Sequence, residues 1–244
     1  MHTTNRKILA GLLASTLLMT SLSAVALAAE NEQMLISPSP VIAPLEKQPF
    51  ADMPAGHWAA ASAQEMVSRG YLELSEGNRF APNTAASRAE LTAAFWRMSG
   101  KPVINFAMQF EDVSSNSSDA EAIRWAAGEK IASGYGNGNF GPDDPLTRAQ
   151  LATIVYRYIQ KYDLGFHGTW MFLLSYDDAA EIPAWASEPV HWMVANQIMS
   201  GSNDHWMPNA PVTRAEEAAV LSRLCALAAD KCVDFAVYPA GAAE

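Results

Sequence analysis

The sequence predicts a mainly α-helical protein built from three helix–loop–helix repeats, with short strands in the loops. Three observations carry this. A tetrapeptide with the form of a helix-capping box occurs three times, further residues recur at fixed distances from it, and each copy holds one apolar helical stripe too small to be a core alone. The tetrapeptides are Ser87-Arg88-Ala89-Glu90, Thr147-Arg148-Ala149-Gln150 and Thr213-Arg214-Ala215-Glu216. In each, the hydroxyl can accept from the backbone N–H three residues on, and the Glu or Gln can reach back. Helices are therefore expected to start at Ser87, Thr147 and Thr213. The arginine is the odd member. At the first helical position a cation is disfavoured by roughly a few tenths of a kcal/mol, so helix formation does not explain its recurrence.

The chain begins with Arg6 and Lys7, an apolar run from Ile8 to Ala28 and small residues at Ala26-Leu27-Ala28. This is the pattern of a secretory signal over residues 1–28, cleaved after Ala28 or Ala29. Its removal takes away two basic residues and no acidic one, moving the formal net charge from −10 to −12. Such an acidic chain argues against nucleic acid and anionic lipid as partners. Later apolar runs fall short of the roughly 20 residues that span a bilayer. Residues 29–49, with Ser37-Pro38-Ser39-Pro40 and Pro44, read as a linker.

From Phe50 the repeat register is fixed by counting. Phe50, Phe110 and Tyr176 each precede the capping hydroxyl by 37 residues and open an aromatic-x-Asp triplet ending in Asp52, Asp112 or Asp178. Phe80, Phe140 and Trp206 precede the cap by seven residues, with Pro82, Pro142 and Pro208 two residues later. Arg97, Arg157 and Arg223 follow it by ten. The repeats occupy residues 50–100, 101–160 and 161–226, leaving 227–244 as a C-terminal tail. First helices are expected over Trp58–Arg69, Asp119–Ser133 and Trp185–Ser200, each followed by a turn that is glycine-rich in copy two. The second helices present Leu91, Ala94, Phe95 and Met98, then Leu151, Ile154, Val155 and Tyr158, then Val220, Leu221 and Leu224, with Glu217 replacing the first apolar position. Packing the three second helices together buries these stripes. Phe166 to Leu174 reads as a loop or short strand that packs on the body. Cys225 and Cys232 can pair only if the last helix ends between them; two unpaired thiols is the other reading.

The combined pattern resembles the S-layer homology domain family. Copy two carries it most fully, in Phe110-Glu111-Asp112-Val113, Ala122-Ile123-Arg124-Trp125-Ala126, Gly134-Tyr135-Gly136-Asn137-Gly138-Asn139-Phe140-Gly141-Pro142 and Leu146-Thr147-Arg148-Ala149-Gln150. The resemblance spans about residues 50–225. It implies three modules in a pseudo-threefold bundle, placed on the bacterial surface by non-covalent binding of a secondary cell-wall polysaccharide or peptidoglycan-linked polymer. In many members the ligand is a pyruvylated sugar carrying a carboxylate. It also implies that Arg88, Arg148 and Arg214 line grooves between modules, where a cation beside free helix N–H groups suits an anion. Gly134 and Gly201 occupy the turn position that is Leu74 in copy one, so the copy-one pocket, taken as that of Arg88, is expected to be the narrowest. The early tryptophan is Trp58 in copy one and Trp185 in copy three but Ser118 in copy two.

Each assignment has a structural counterpart. The three motif arginines can pair with Asp52, Asp112 and Asp178 and still offer a second edge of the guanidinium. Those aspartates read as helix-initiating caps. Arg97, Arg157 and Arg223 read as solvated or in inter-module ion pairs. Trp125 and Trp192 are either sugar-stacking or buried. Neither a nucleophile motif nor a metal-ligand spacing is present, His57, His167, His191 and His205 hold no common repeat position, and no cofactor is implied. The expectation is a secreted, non-enzymatic cell-wall-binding protein. The alternatives are a surface scaffold whose body docks a partner protein and, less favoured, a wall-acting hydrolase.

Overall fold

A computed structural model describes residues 50–166 and 172–237; the expected signal sequence (1–28) and linker (29–49) lie outside the described residues. Six α-helices appear in chain order: α1 (Ala60–Ser68), α2 (Arg88–Met98), α3 (Ala120–Gly128), α4 (Arg148–Gln160), α5 (Ser187–Ala195) and α6 (Arg214–Asp230). Two short 3-10 turns, Ala179–Glu181 and Ala184–Ala186, precede α5. The mainly α, three-repeat class predicted from sequence is what is found.

The second helices of the repeats (α2, α4, α6) start where the capping residues place them. Ser87, Thr147 and Thr213 are extended N-caps whose hydroxyls accept from Glu90, Gln150 and Glu216 N–H. The reciprocal half of the box closes at Gln150 and Glu216, which accept from the Thr147 and Thr213 N–H groups. Glu90 is instead drawn into an ion pair with Arg214. The first helices (α1, α3, α5) are shorter than periodicity suggests. Each is stopped by a residue in the left-handed region, Gly70, Lys130 or Gln197, after which Tyr71, Ile131 and Ile198 N–H groups bond back to Met66, Ala126 and Met193 carbonyls. That 6→1 closure satisfies carbonyls a longer helix would have used.

The modules close into a ring. Ala86 N–H donates to the Val212 carbonyl, Val212 N–H to Leu146 and Leu146 N–H to Ala86. One residue before each second-helix cap thus meets its two equivalents, all fully buried. This is the pseudo-threefold axis. Around it the helices exchange neighbours: α3 lies against α2, α5 against α4 and α1 against α6. Each first helix therefore packs on the second helix of the preceding module, with the last module serving the first. The second helices meet through long side chains, as where Phe95 of α2 stacks on Tyr158 of α4 at 4.1 Å.

Two segments beyond the helices belong to this core. Between modules one and two, Ile104 and Met108 pack on the core and Phe106 lies beside Gly128, in a stretch whose alternate residues are exposed. After α6, Phe235 turns back into the cluster of Tyr158 and Tyr162, with ring centroids 5.3 and 4.8 Å away, and its carbonyl accepts from Tyr162 Oη. Residues 231–237 are therefore partly structural rather than a loose tail. Phe166 packs on Tyr156 as expected of that loop, whereas Leu173 is 92% exposed; residues 167–171 lie outside the described residues. The last helix does end between Cys225 and Cys232, yet both thiols are free. Among the described residues no helix is long and apolar enough to cross a membrane.

Candidate functional site

The three motif arginines are inter-module clamps. Arg88 Nε donates to the Phe140 carbonyl and Nη2 to Ser133, both in the turn of module two. Arg148 makes the same pair of bonds to Trp206 and Ser200 in module three. Arg214 makes them to Phe80 and Glu73 in module one. Each guanidinium also stacks on the aromatic of that turn, 4.7 Å from Phe140, 4.9 Å from Trp206 and 4.9 Å from Phe80. The fold therefore has a use for the residue that helix formation alone does not. Two nitrogens and one face hold the next module, and Nη1 is left toward the cleft. Burial lowers the pKa of all three from its ordinary value.

This geometry corrects the sequence reading in several places. Each arginine serves the turn of the following module, so Arg88 meets the Gly134 turn, Arg148 the Gly201 turn and Arg214 the Leu74 turn. The groove that Leu74 borders is the one of Arg214, and it is not narrowed, being larger than that of Arg88. The helix N-termini are not free anion sites either. The N–H groups of Arg88 and Ala89 donate to Asp144 and Pro142 carbonyls, and the equivalent pairs in α4 and α6 donate to Ala210 and Pro208, and to Thr84 and Pro82.

The aspartates cap turns rather than helices. Asp52 accepts from Phe80 and Ala81 N–H, Asp112 from Phe140 and Gly141, and Asp178 from Trp206 and Met207, at 2.6–2.8 Å. Burial pushes each carboxyl up, but these backbone donors outweigh it and hold all three below the ordinary carboxylate value. The turn glycines answer to crowding. A Cβ on Gly134 would strike the Asn139 carbonyl and the Phe110 ring, and one on Gly201 the His205 carbonyl and the Tyr176 ring.

Trp125 and Trp192 are 0% and 1% exposed, so neither has a face to offer a sugar. The Trp192 indole donates to the Leu164 carbonyl, and Trp125 packs edge-on to Tyr158. The exposed tryptophans are Trp58 and Trp185, at 63% and 53%. Both stand just before a first helix, where an indole gains nothing from helix packing; that was the available signal.

Two clefts show what the Arg88 and Arg214 clamps border. The first, about 190 Å³, is lined by Arg88, Gly134, Tyr135, Gln150, Arg157 and, from the third module, Trp185. The second, about 290 Å³, is lined by Arg214, Leu74, Glu90, Arg97 and, from the second module, Ser118 and Asp119. They follow one plan: a clamp arginine, the next module's turn, cap and late arginine, and the remaining module's early tryptophan position. Arg97 and Arg223 bond within their own modules, to Glu73 and Tyr71 and to the Ile198 carbonyl respectively. Arg157 has no acidic partner among the described residues.

The model of the S-layer homology domain matches residues 49–92, 109–152 and 175–218, together more than half of the chain. The chain is 28% identical over 182 residues to a cellulosome-anchoring protein of Acetivibrio thermocellus, covering 72% of this chain and 39% of that protein. It is 25% identical over 173 residues to the S-layer protein EA1 of Bacillus anthracis, covering 71% and 20%. An amylopullulanase of Thermoanaerobacterium thermosulfurigenes is 29% identical over 169 residues, covering 68% of this chain but 9% of the enzyme. The chain thus spans about two-fifths or less of the length of these relatives.

Proposed function

This chain belongs to the S-layer homology domain family, and from that premise we propose that it is held at the bacterial wall by an acidic wall polysaccharide seated in the clefts between its modules. It is a cell-surface anchoring protein; the polymer and the site are the proposal. One observation carries it. The clamp arginines spend Nε and Nη2 on carbonyls of the next module, which fixes the guanidinium plane before any ligand arrives. The remaining edge borders a cleft that also holds a second arginine, Arg157, and an exposed indole. A preorganised cation beside an aromatic face suits a sugar that carries a carboxylate.

Sedimentation with cell-wall sacculi tests this. The chain should pellet with sacculi that retain their polysaccharide and remain soluble with sacculi stripped of it. Equal sedimentation with both preparations would refute polysaccharide anchoring.

A second reading is a scaffold that docks a partner protein, favoured by the apolar edge of Phe172, Leu173 and Ile182 beside His191. A stoichiometric partner that co-purifies from envelopes lacking the polysaccharide would select it.

A further inference from the structure

The glycine-rich turn of module two holds the one Asn-Gly step of the sequence, Asn137-Gly138. Both residues are exposed and lie outside any helix. Gly136 and Gly138, on either side of the asparagine, take φ values of 83° and 91°, a conformation open to glycine. The Gly138 carbonyl accepts from the Glu111 N–H at 2.9 Å, whereas its own N–H has no backbone acceptor among the described residues. An exposed backbone nitrogen is thus left uncommitted beside an exposed carboxamide.

Attack of the Gly138 nitrogen on Asn137 Cγ closes a five-membered ring, and two features of the turn favour it. Asn137 Oδ1 accepts from the Asn139 N–H at 3.1 Å. That donor faces the oxygen on which negative charge develops as Cγ is attacked, which is how an oxyanion is stabilised. No Cβ at position 138 stands beside the attacking nitrogen. The other asparagines of the body lack this second feature: Asn105 and Asn139 precede Phe, Asn83 precedes Thr and Asn203 precedes Asp. Three residues before the turn aromatic, where module two has Asn137, modules one and three have Gly77 and Asn203. The feature belongs to one module.

We propose that Asn137 is a site of spontaneous covalent modification, at which the chain converts its own asparagine to isoaspartate and aspartate through a cyclic imide. The Gly138 nitrogen gives up its proton and bonds to Asn137 Cγ. The Cγ–Nδ2 bond breaks, and ammonia leaves with that proton. Water then adds to either imide carbonyl, and the ring C–N bond at that carbon breaks. Opening at Cγ gives aspartate and opening at the main-chain carbonyl gives isoaspartate. Water is the sole co-reactant.

The isoaspartate product routes the main chain through Cβ and lengthens it by one atom inside a turn that is tied on both sides. The Tyr135 N–H donates to the Asn139 carbonyl, the Phe140 and Gly141 N–H groups to Asp112, and the Phe140 carbonyl receives Arg88 Nε. Either product also adds a negative charge next to Gly138, whose Cβ position lies 3.7 Å from Glu111 Oε1. The modification therefore loosens the seam between modules one and two and leaves the other two seams as they are.

Ageing the full chain at neutral and at alkaline pH, followed by peptide mapping by mass and enzymatic methylation of isoaspartate, tests this. Position 137 should be modified at least about tenfold faster than any other asparagine, since no other is followed by a residue without a Cβ. The rate should rise with pH, as the attacking nitrogen gives up its proton more readily. Asn137→Ser should abolish the signal. The aged chain should unfold at a midpoint lower by about 2–4 °C, the effect of losing one turn hydrogen bond in a chain of this size. Freshly purified Asn137→Asp, which adds the charge on a normal backbone, and aged Asn137→Ser should both keep the parental midpoint. Absence of isoaspartate at 137, or equal rates at several asparagines, would overturn the site. An unchanged midpoint in the modified chain, or an equal loss in aged Asn137→Ser, would overturn the loosened seam.

Discussion

Replacing Glu217 with leucine should make this protein markedly more stable at neutral pH. Glu217 occupies the position of Leu91 and Leu151 in the other second helices and is likewise 0% exposed. Neither of its carboxylate oxygens has a hydrogen-bond partner. Burial pushes its pKa up from 4.5 to about 8, against the opposing pull of Arg214 and Arg97, which are already engaged with Glu90 and Glu73. The folded state thus keeps a proton that the unfolded state releases above pH 4.5. Stability therefore falls as pH rises from about 4.5 to about 8, by roughly 1.4 kcal/mol per pH unit, and is level beyond. At pH 7 the cost is about 3 kcal/mol. Leucine removes it and restores the apolar stripe. Urea denaturation of both proteins between pH 4 and pH 9 should show a gain that grows across that window. At pH 7 the midpoint of thermal unfolding should rise by about 6–12 °C for a chain of this size. A leucine variant no more stable than the parent, or a gain equal at pH 4 and pH 8, would refute the buried-acid argument.

The three turn aspartates act with the opposite sign. Their folded pKa values are depressed, so the stability they contribute is complete above about pH 4 and is lost as pH falls below it. With Glu217 present, equilibrium unfolding should place maximum stability near about pH 4–5. Asp178→Ala deprives the Trp206 and Met207 N–H groups of their acceptor and should cost about 3 kcal/mol by denaturant titration at pH 7. Gly201→Ala should cost about 2 kcal/mol, because the added methyl meets a backbone carbonyl and the Tyr176 ring. Gly56→Ala, with nothing within 4 Å of the new methyl, should change stability by less than about 0.5 kcal/mol. Phe235→Ala should cost about 3 kcal/mol and expose Tyr158 and Tyr162 to solvent quenchers; an unchanged midpoint would mean that the returning segment contributes no packing.

Local chemistry is written plainly in this sequence. The capping residues placed three helix starts to the residue, because Ser87, Thr147 and Thr213 bond to backbone three positions away and need nothing distant. The repeat register was equally legible, and with it the equivalence of Leu91, Leu151 and Glu217. What could not be read was which module each arginine reaches. The Arg214 to Phe80 bond joins residues 134 apart, and no offset within a repeat distinguishes a contact inside a module from one with its neighbour. That single ambiguity misassigned Leu74 to the cleft of Arg88. The same blindness made the helix N–H groups look free, since their acceptors at Pro142, Pro208 and Pro82 arrive from other modules. For Trp125 and Trp192 the sequence left sugar-stacking and burial both open, and burial is what is found. Within a repeat they stand on a helix face with no visible cover, and only the exchange of helices between modules buries them.

The triangle of Ala86, Leu146 and Val212 backbone bonds has a consequence for how such a chain can change length. A stack of repeats that each touch only the next always has two ends and grows by adding units. Here the third module already returns its α6 to α1 and its Arg214 to the first turn, so each module has both neighbours it can accommodate. A fourth copy would find no unoccupied face, and deletion of any one copy would break two seams at once. Equivalent seams also mean that the covalent links between modules are interchangeable with the gap between the first and last. A chain beginning at module two and ending with module one should close the same ring.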